Sequence, residues 1–441
     1  MSQNQQKSGS MVAIITMFFL FAMISFVTNM AAPVGNIWTM DDAVGSNPVL
    51  GFMGNFMNFL AYLFMGIPAG NMLTKVGYKK TALIAIAIGV VGLLIQFASG
   101  MSTGTTGFCI YLLGAFVCGF CVCMLNTVVN PMLNLIGGGG AKGNQLLQLG
   151  GACNSLAGTI APIMVGAILG SITKSTTLAE VNPMLFGAIA IFVVAFIVIY
   201  MVNIPEPRQQ KVETAHTEDK HSPWSFRHFV LGSVAIFIYV GMEVGIPNTF
   251  GNYLNIQEHF ALFDSANAVN ASAIIGGMTG LYWLLMLVGR LTSGFISGKI
   301  SSRTQLLTVS VVGIVLVLIS MFVPESAGAS MIGFSGGSFA VNNVPLFTIF
   351  LVLMGLCTSI MWGCIFNLAT EGLGKYTEKA SGIFMMMVVG GGILPLIQNS
   401  IVGETISSLR MSYWIIVLVL AYMIFYALVG SKNVNKDIKV D

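Results

Sequence analysis

The chain has 441 residues, enough for two or three soluble domains, yet 56% of them are hydrophobic and only 8% are charged. A water-facing surface needs about 25% charged residues, so a set of soluble domains is excluded. The net charge of +3 is small and scattered, which excludes a nucleic-acid-binding surface.

Runs of about 20 apolar residues are long enough to cross a hydrocarbon core of about 30 Å. Taken in order, they predict spans near 11–37, 50–73, 81–99, 107–136, 144–171 and 183–204. A second set follows near 228–254, 271–297, 305–323, 346–369, 379–402 and 411–430. The first run is too long for the apolar region of a signal peptide and reads as a retained span. The fold class is therefore an all-α membrane protein with twelve transmembrane helices in two six-helix halves, 1–204 and 228–441. Between them, PEPRQQKVETAHTEDKHSPWSFR (205–227) is the longest strongly polar segment and reads as a cytoplasmic linker.

Basic residues orient the chain, because they favour cytoplasmic segments. With the N-terminus inside, the inner segments hold Lys7, Lys75, Lys79, Lys80, Lys142, Arg208, Lys211, Lys220 and Arg227. They also hold Lys299, Arg303, Lys375, Lys379, Lys432, Lys436 and Lys439, whereas the outer loops hold only Lys174 and Arg410. Asp41, Asp42, Glu180, Glu258, Asp264, Glu325 and Glu404 are all outside in this arrangement. Both termini are expected in the cytoplasm.

The halves echo one another. PAGNMLTKVGYKK (68–80) aligns with TSGFISGKISSRT (292–304), pairing Gly70 with Gly294, Lys75 with Lys299 and Lys79 with Arg303. Parallel repeats about an axis along the membrane normal are a transporter plan, with the site near the midplane between them. The matched basic turns, with Lys80 and the inner-lying Arg290, are candidate gating residues.

Polar residues at membrane depth are the candidate site. Glu243, in FIYVGMEVGIPN (237–248), is the one acidic residue near the middle of a predicted span. A carboxylate there costs several kcal/mol if lipid is its solvent, so it is expected to face the bundle interior as a functional group. The alternative is a protonated carboxyl bonded to a neighbour such as Tyr239, one turn away. Gly241, Gly245 and Pro247 around it predict a broken or bent helix. No buried histidine is expected, since His216, His221, His228 and His259 lie in or beside loops.

Amides supply the remaining polarity: Asn55 and Asn58 with Tyr62 on span 2, and Asn126 and Asn130 on span 4 ahead of Pro131. Gln148 and Asn154 follow on span 5, Asn248 on span 7, Asn367 on span 10 and Gln398 on span 11. Groups that both donate and accept suit an uncharged polyhydroxylated solute. The competing reading is interhelical glue, at about 0.6 kcal/mol per bond. Trp283 and Trp362 lie mid-span, where an indole can stack on a sugar ring or simply pack in the core.

Three patterns are set aside. CGFCVC (118–123) belongs to the seven cysteines, all within apolar runs. It lacks membrane-depth histidines to complete a metal site, and its thiols read as packing residues. GFSGG (333–337) lies in an outer loop without the strand–turn–helix context of a nucleophile elbow. IGGGGAKGN (136–144) lacks the GK[ST] of a phosphate loop and reads as a flexible cytoplasmic turn.

The chain resembles the fucose–proton and glucose/galactose permease branch of the major facilitator superfamily. The resemblance rests on IPAG (67–70) followed by GYKK, NTVVNP (126–131), NSLAG (154–158), YVGMEVGI (239–246), GRLTSG (289–294) and VVGGGILP (388–395). It implies a major facilitator fold and monosaccharide uptake by alternating access, commonly proton-coupled. It implies sugar-facing roles for Asn130 and Asn154. It also matches Glu243 to an acidic residue of the glucose/galactose members, where the fucose member has glutamine. Asn29 stands where proton-coupled members carry an aspartate in the first span, and Asn126 where they carry a glutamate before the NP element. Gly151 replaces a family glutamine. Neither amide titrates, which leaves Glu243 as the group to carry a coupling proton, to bind sugar hydroxyls, or to do both.

The expectation is a monomeric sugar transporter of a bacterial inner membrane. It needs no cofactor or metal, and its coupling ion is a proton, with sodium as the alternative. Uniport and a non-transporting sugar receptor remain open. An intramembrane enzyme is disfavoured, because no histidine, metal cluster or paired carboxylates lie at depth.

Overall fold

The structure, a computed structural model, describes residues 3–39, 44, 48–169, 178–202, 204, 221–254, 260–261, 263–265, 271–335, 338–403, 405–435, 437–438 and 440. Residues 205–220 of the linker lie outside them, as do Asp41, Asp42, Lys174, Glu258, His259, Glu404, Lys436, Lys439 and the last two glycines of GFSGG.

Six helices form the first set of spans: α1 (Gln3–Thr39), α2 (Pro48–Val76), α3 (Tyr78–Ser99), α4 (Gly104–Ile136), α5 (Gly140–Leu169) and α6 (Asn182–Met201). The second set opens with α7 (Arg227–Leu254), α8 (Ala271–Ile296) and α9 (Ser302–Phe322). Its last three spans are divided into α10 (Leu346–Ser359) with α11 (Met361–Thr370), α12 (Thr377–Met386) with α13 (Gly390–Ile401), and α14 (Ile406–Ser412) with α15 (Trp414–Phe425). Among the described residues, eleven helices are long and apolar enough to cross a membrane. The remaining expected span corresponds to α5, a helix of 30 residues.

Burial separates central from peripheral spans. In the most apolar stretch of each, 72% of the tenth span, 67% of α7 and 61% of α4 are buried, against 33% of α6. The two sets meet where α5 packs on α8 and α11, α2 on α12 and α13, and α4 on α12. Cysteines pack as the sequence predicts: Cys118 and Cys121 of α4 lie against Gly92 and Gly89 of α3, where no Cβ fits.

Three features differ from expectation. First, of the broken or bent helix expected at Pro247, the break is absent: α7 is continuous through it. Proline deprives the carbonyl four residues earlier of its helical partner, and that carbonyl, Glu243 O, accepts instead from Tyr282 Oη at 3.1 Å. The same substitution occurs in α4, where Pro131 frees Thr127 O and Ser381 Oγ of α12 approaches it at 3.4 Å. The break falls in the tenth span instead, at Ile360 (φ −96°, ψ −11°). Second, His228 is fully buried in the first turn of α7, its Nε2 2.9 Å from Glu371 O. A helix-end carbonyl supplies the polar partner that lets this histidine lie inside. Third, the segment between the ninth and tenth spans, around GFSGG, holds an antiparallel pair, β1 (Gly328–Ser335) with β2 (Ser338–Pro345), packed against α8.

Candidate functional site

Glu243 lies in the most enclosed part of α7 and is 8% exposed. Its Oε1 is 3.1 Å from Arg290 Nη2 on α8, and Arg290 is 7% exposed. Tyr239, the partner the helical spacing suggested, is also beside the carboxylate, and its hydroxyl donates to Thr358 O at 3.0 Å. Breaking one side of a buried ion pair costs about 3–5 kcal/mol, so the pair fixes both side chains.

The Arg290 guanidinium is divided between the two sets of spans. Its Nε donates to Ser359 O at 3.0 Å and its Nη2 to Glu243, both in the second set. Its Nη1 donates to Gly151 O at 2.9 Å and to Ser155 Oγ at 2.7 Å, with Asn154 Oδ1 at 3.4 Å, all on α5 of the first set. Gly151 leaves the room: a Cβ there would sit 3.2 Å from Arg290 Cδ. A side chain at 151 would crowd Arg290 in this position.

The break in the tenth span completes the arrangement. Where a helix stops, its last carbonyls need outside donors. Thr358 O takes Tyr239 and Ser359 O takes Arg290, while Ile360 O, which also accepts from Cys364 N at 3.2 Å, takes Gln148 Nε2 at 2.8 Å across the two sets. Two residues further on, Trp362 Nε1 donates to Asn130 Oδ1 at 2.9 Å, again across the sets. Toward the end that carries the basic turns, Asn144 Nδ2 donates to Ser297 Oγ at 3.0 Å and Asn134 Nδ2 to Thr370 Oγ1 at 3.3 Å. These bonds tie the two sets together from the break at Ile360 toward the end that carries the basic turns.

The remaining sequence candidates fall into three groups. Asn154, Gln148, Asn130 and Trp362 lie at the contact between sets, as does Asn126 through Asn130, whose Nδ2 donates to Asn126 O at 2.8 Å. Asn126 itself donates to Tyr62 Oη at 2.8 Å. Asn29 bonds Ser25 within α1, Asn248 Oδ1 accepts from Asn399 at 3.0 Å, and Gln398 Nε2 is 3.5 Å from Ser412 Oγ. For Asn248 and Gln398 the observed contacts are those of interhelical glue, whereas the Asn29 bond stays within its own helix. Asn367 likewise ties α11 to Ser302 of α9, and Trp283 packs edge-on against Tyr282. Asn55 Oδ1 and both amide atoms of Asn58 are buried with no protein partner. Buried amides of native proteins are nearly always satisfied, so among the sequence candidates these two have room for a polar ligand's hydrogen bonds.

Among the basic turns, Lys79 Nζ donates to Tyr200 O and Val202 O at 2.8 Å each, at the end of α6. Its counterpart Arg303 donates from Nε to Ser431 Oγ at 3.2 Å, just past the twelfth span. Each links the start of a third span to the end of the sixth in its own set. Lys75, Lys80 and Lys299 are exposed.

A bundle with this many membrane-length helices, enclosing a charge pair between two sets of spans, is a polytopic membrane protein with its polar chemistry turned inward. The Major Facilitator Superfamily model matches residues 17–392, and the chain belongs to that superfamily of membrane transporters. It is 28% identical over 442 residues to the glucose/galactose transporter of Brucella abortus biovar 1 (strain 9-941), covering 98% of this chain and 97% of that protein. It is 21% identical over 363 residues to the L-fucose-proton symporter of Escherichia coli (strain K12), covering 76% of this chain and 75% of the symporter. Its fold matches the crystal structure of the transporter FucP in the outward conformation with a TM-score of 0.71 at 20% identity, over 96% of this chain and 100% of that one.

Proposed function

We propose that this protein takes up a monosaccharide by alternating access, coupled to protons through Glu243. It would work as a single chain in a bacterial inner membrane with both termini cytoplasmic. The relatives named for glucose and galactose align along nearly the whole chain, which supports a hexose as substrate. The observation that carries the reading is the Glu243–Arg290 pair, the enclosed charges at the contact between the two sets. Alternating access requires the sets, acting as two halves, to rock against each other around a central site. A titratable group at that contact is placed to feel both the movement and the solvent on either side.

Asn55 and Asn58 support a sugar as the polar ligand, since a hydroxyl can satisfy an amide oxygen and an amide N–H alike. Asn126, Asn130 and Asn154 would then present the other amides, and Trp362 the apolar face.

The test is uptake of labelled glucose, galactose and fucose into proteoliposomes under an imposed proton gradient, sodium gradient or neither. Accumulation driven by protons, and lost when the gradient is collapsed, is expected. Equilibration indifferent to both gradients makes the protein a uniporter, sodium-driven accumulation replaces the coupling ion, and binding without uptake makes it a receptor.

A further inference from the structure

Arg290 has a feature that neither the family membership nor a coupling role for Glu243 explains: its donors are shared out between the two sets of spans. Nε and Nη2 are held by Ser359 and Glu243 in the second set, while Nη1 alone reaches Gly151, Ser155 and Asn154 in the first. Opening the inner end separates α5 from α8 and must break the Nη1 bonds.

We propose that Arg290 is the positioning residue that ties the charge on Glu243 to the contact between the two sets. The ionised carboxylate holds Nη2, and the planar guanidinium then aims Nη1 at α5. A proton on Glu243 removes the anion that fixes this orientation. It also leaves a buried cation without its counter-charge, a state that favours hydration and separation of α5 from α8. The inference rests on the reading of Glu243 as the protonated group.

The surroundings leave this pair as the local charge balance. The titratable groups facing it are Tyr239 of α7 and Tyr282 of α8, with Cys357 of α10 beside Tyr282. From α5 come Gly151, Asn154 and Ser155, and from α13 come Leu394 and Gln398 against Gly241 and Gly245; none of these titrates.

The test is the distance between spin labels at Lys142→Cys and Gly298→Cys. These exposed positions flank the Asn144–Ser297 contact from opposite sets, and Cys109, Cys153 and Cys364 are replaced by serine. In the full chain in lipid, the open-to-closed ratio should rise as pH falls, by up to about tenfold per pH unit, the limit for one proton linked to one transition. Glu243→Gln should hold the low-pH distribution at every pH, and Arg290→Gln should lose the pH response although Glu243 remains. Ser155→Ala, which deletes the 2.7 Å bond on α5 without touching either charge, should shift the ratio toward open at all pH values and keep the slope. A pH response that survives Arg290→Gln, or an unmoved ratio in Ser155→Ala, overturns the proposal while leaving Glu243 as the coupling group. A response that survives Glu243→Gln overturns that underlying reading, and the proposal with it.

Discussion

The Tyr282 hydroxyl donates to the backbone carbonyl of Glu243 at 3.1 Å, the acceptor that Pro247 leaves without a helical donor. One hydrogen bond from the neighbouring span thus lets α7 stay helical through its proline and fixes the backbone that carries the carboxylate. Tyr282→Phe leaves that carbonyl unsatisfied in a buried setting and should cost about 1–3 kcal/mol. Thermal unfolding in detergent reads this as a lowered midpoint, and an unchanged midpoint would show that the carbonyl finds another donor.

Glu243→Gln keeps the shape and much of the hydrogen bonding but removes the titratable group. It should abolish proton-driven accumulation, while exchange of labelled for unlabelled sugar across the membrane survives at least in part. Asn29 and Asn126 cannot take over, being amides. Accumulation that persists in this variant would move the coupling site elsewhere.

Much of this arrangement was legible in the sequence. Glu243 stood out because a charge inside an apolar run needs an interior partner, and the basic turns at 75–80 and 299–303 marked one end of the bundle. The pairing with Arg290 was not legible. Arg290 lies near the C-terminal end of α8 and Glu243 near the middle of α7, so position along the helices gives no sign that the two meet. The break at Ile360 carries no proline and was hidden for that reason; its carbonyls are held by Tyr239, Arg290 and Gln148, contacts that tertiary packing decides. The hairpin had a local signal that went unused: two eight-residue runs joined by Gly336 and Gly337 in the sequence, a connection typical of tight hairpins.

Lys79 and Arg303, expected from their symmetry to act as gates, are bound to the ends of α6 and the twelfth span within their own sets. Rigid rocking of the two sets leaves such contacts intact. Lys79→Ala should therefore lower the unfolding midpoint, by the equivalent of about 0.3–1 kcal/mol for a cation at a helix C-terminus, with the uptake rate of the surviving protein near wild type. A rate loss with an unchanged midpoint would assign Lys79 to gating instead.

Gly382 offers the sharpest control of closure. A Cβ on it would lie 2.6 Å from Gly66 O and 2.8 Å from Gly70 Cα, so the obstruction is backbone of α2 and cannot rotate away. The proposed alternating access parts this contact when the inner end opens, and overpacking of that kind costs about 1–3 kcal/mol. Gly382→Ala should thus raise the open-to-closed ratio about tenfold, the factor carried by about 1.4 kcal/mol, without loss of folding. Cys364 is the built-in reporter: it is fully buried, with Asn144 Nδ2 of the opposite set 3.9 Å from its Sγ. Its alkylation by a maleimide, read by peptide mass mapping, should accelerate in proportion to the open population. The same labelling rate in Gly382→Ala and wild type, with the unfolding midpoint also unchanged, would show that α2 and α12 separate at this level more easily than their packing implies.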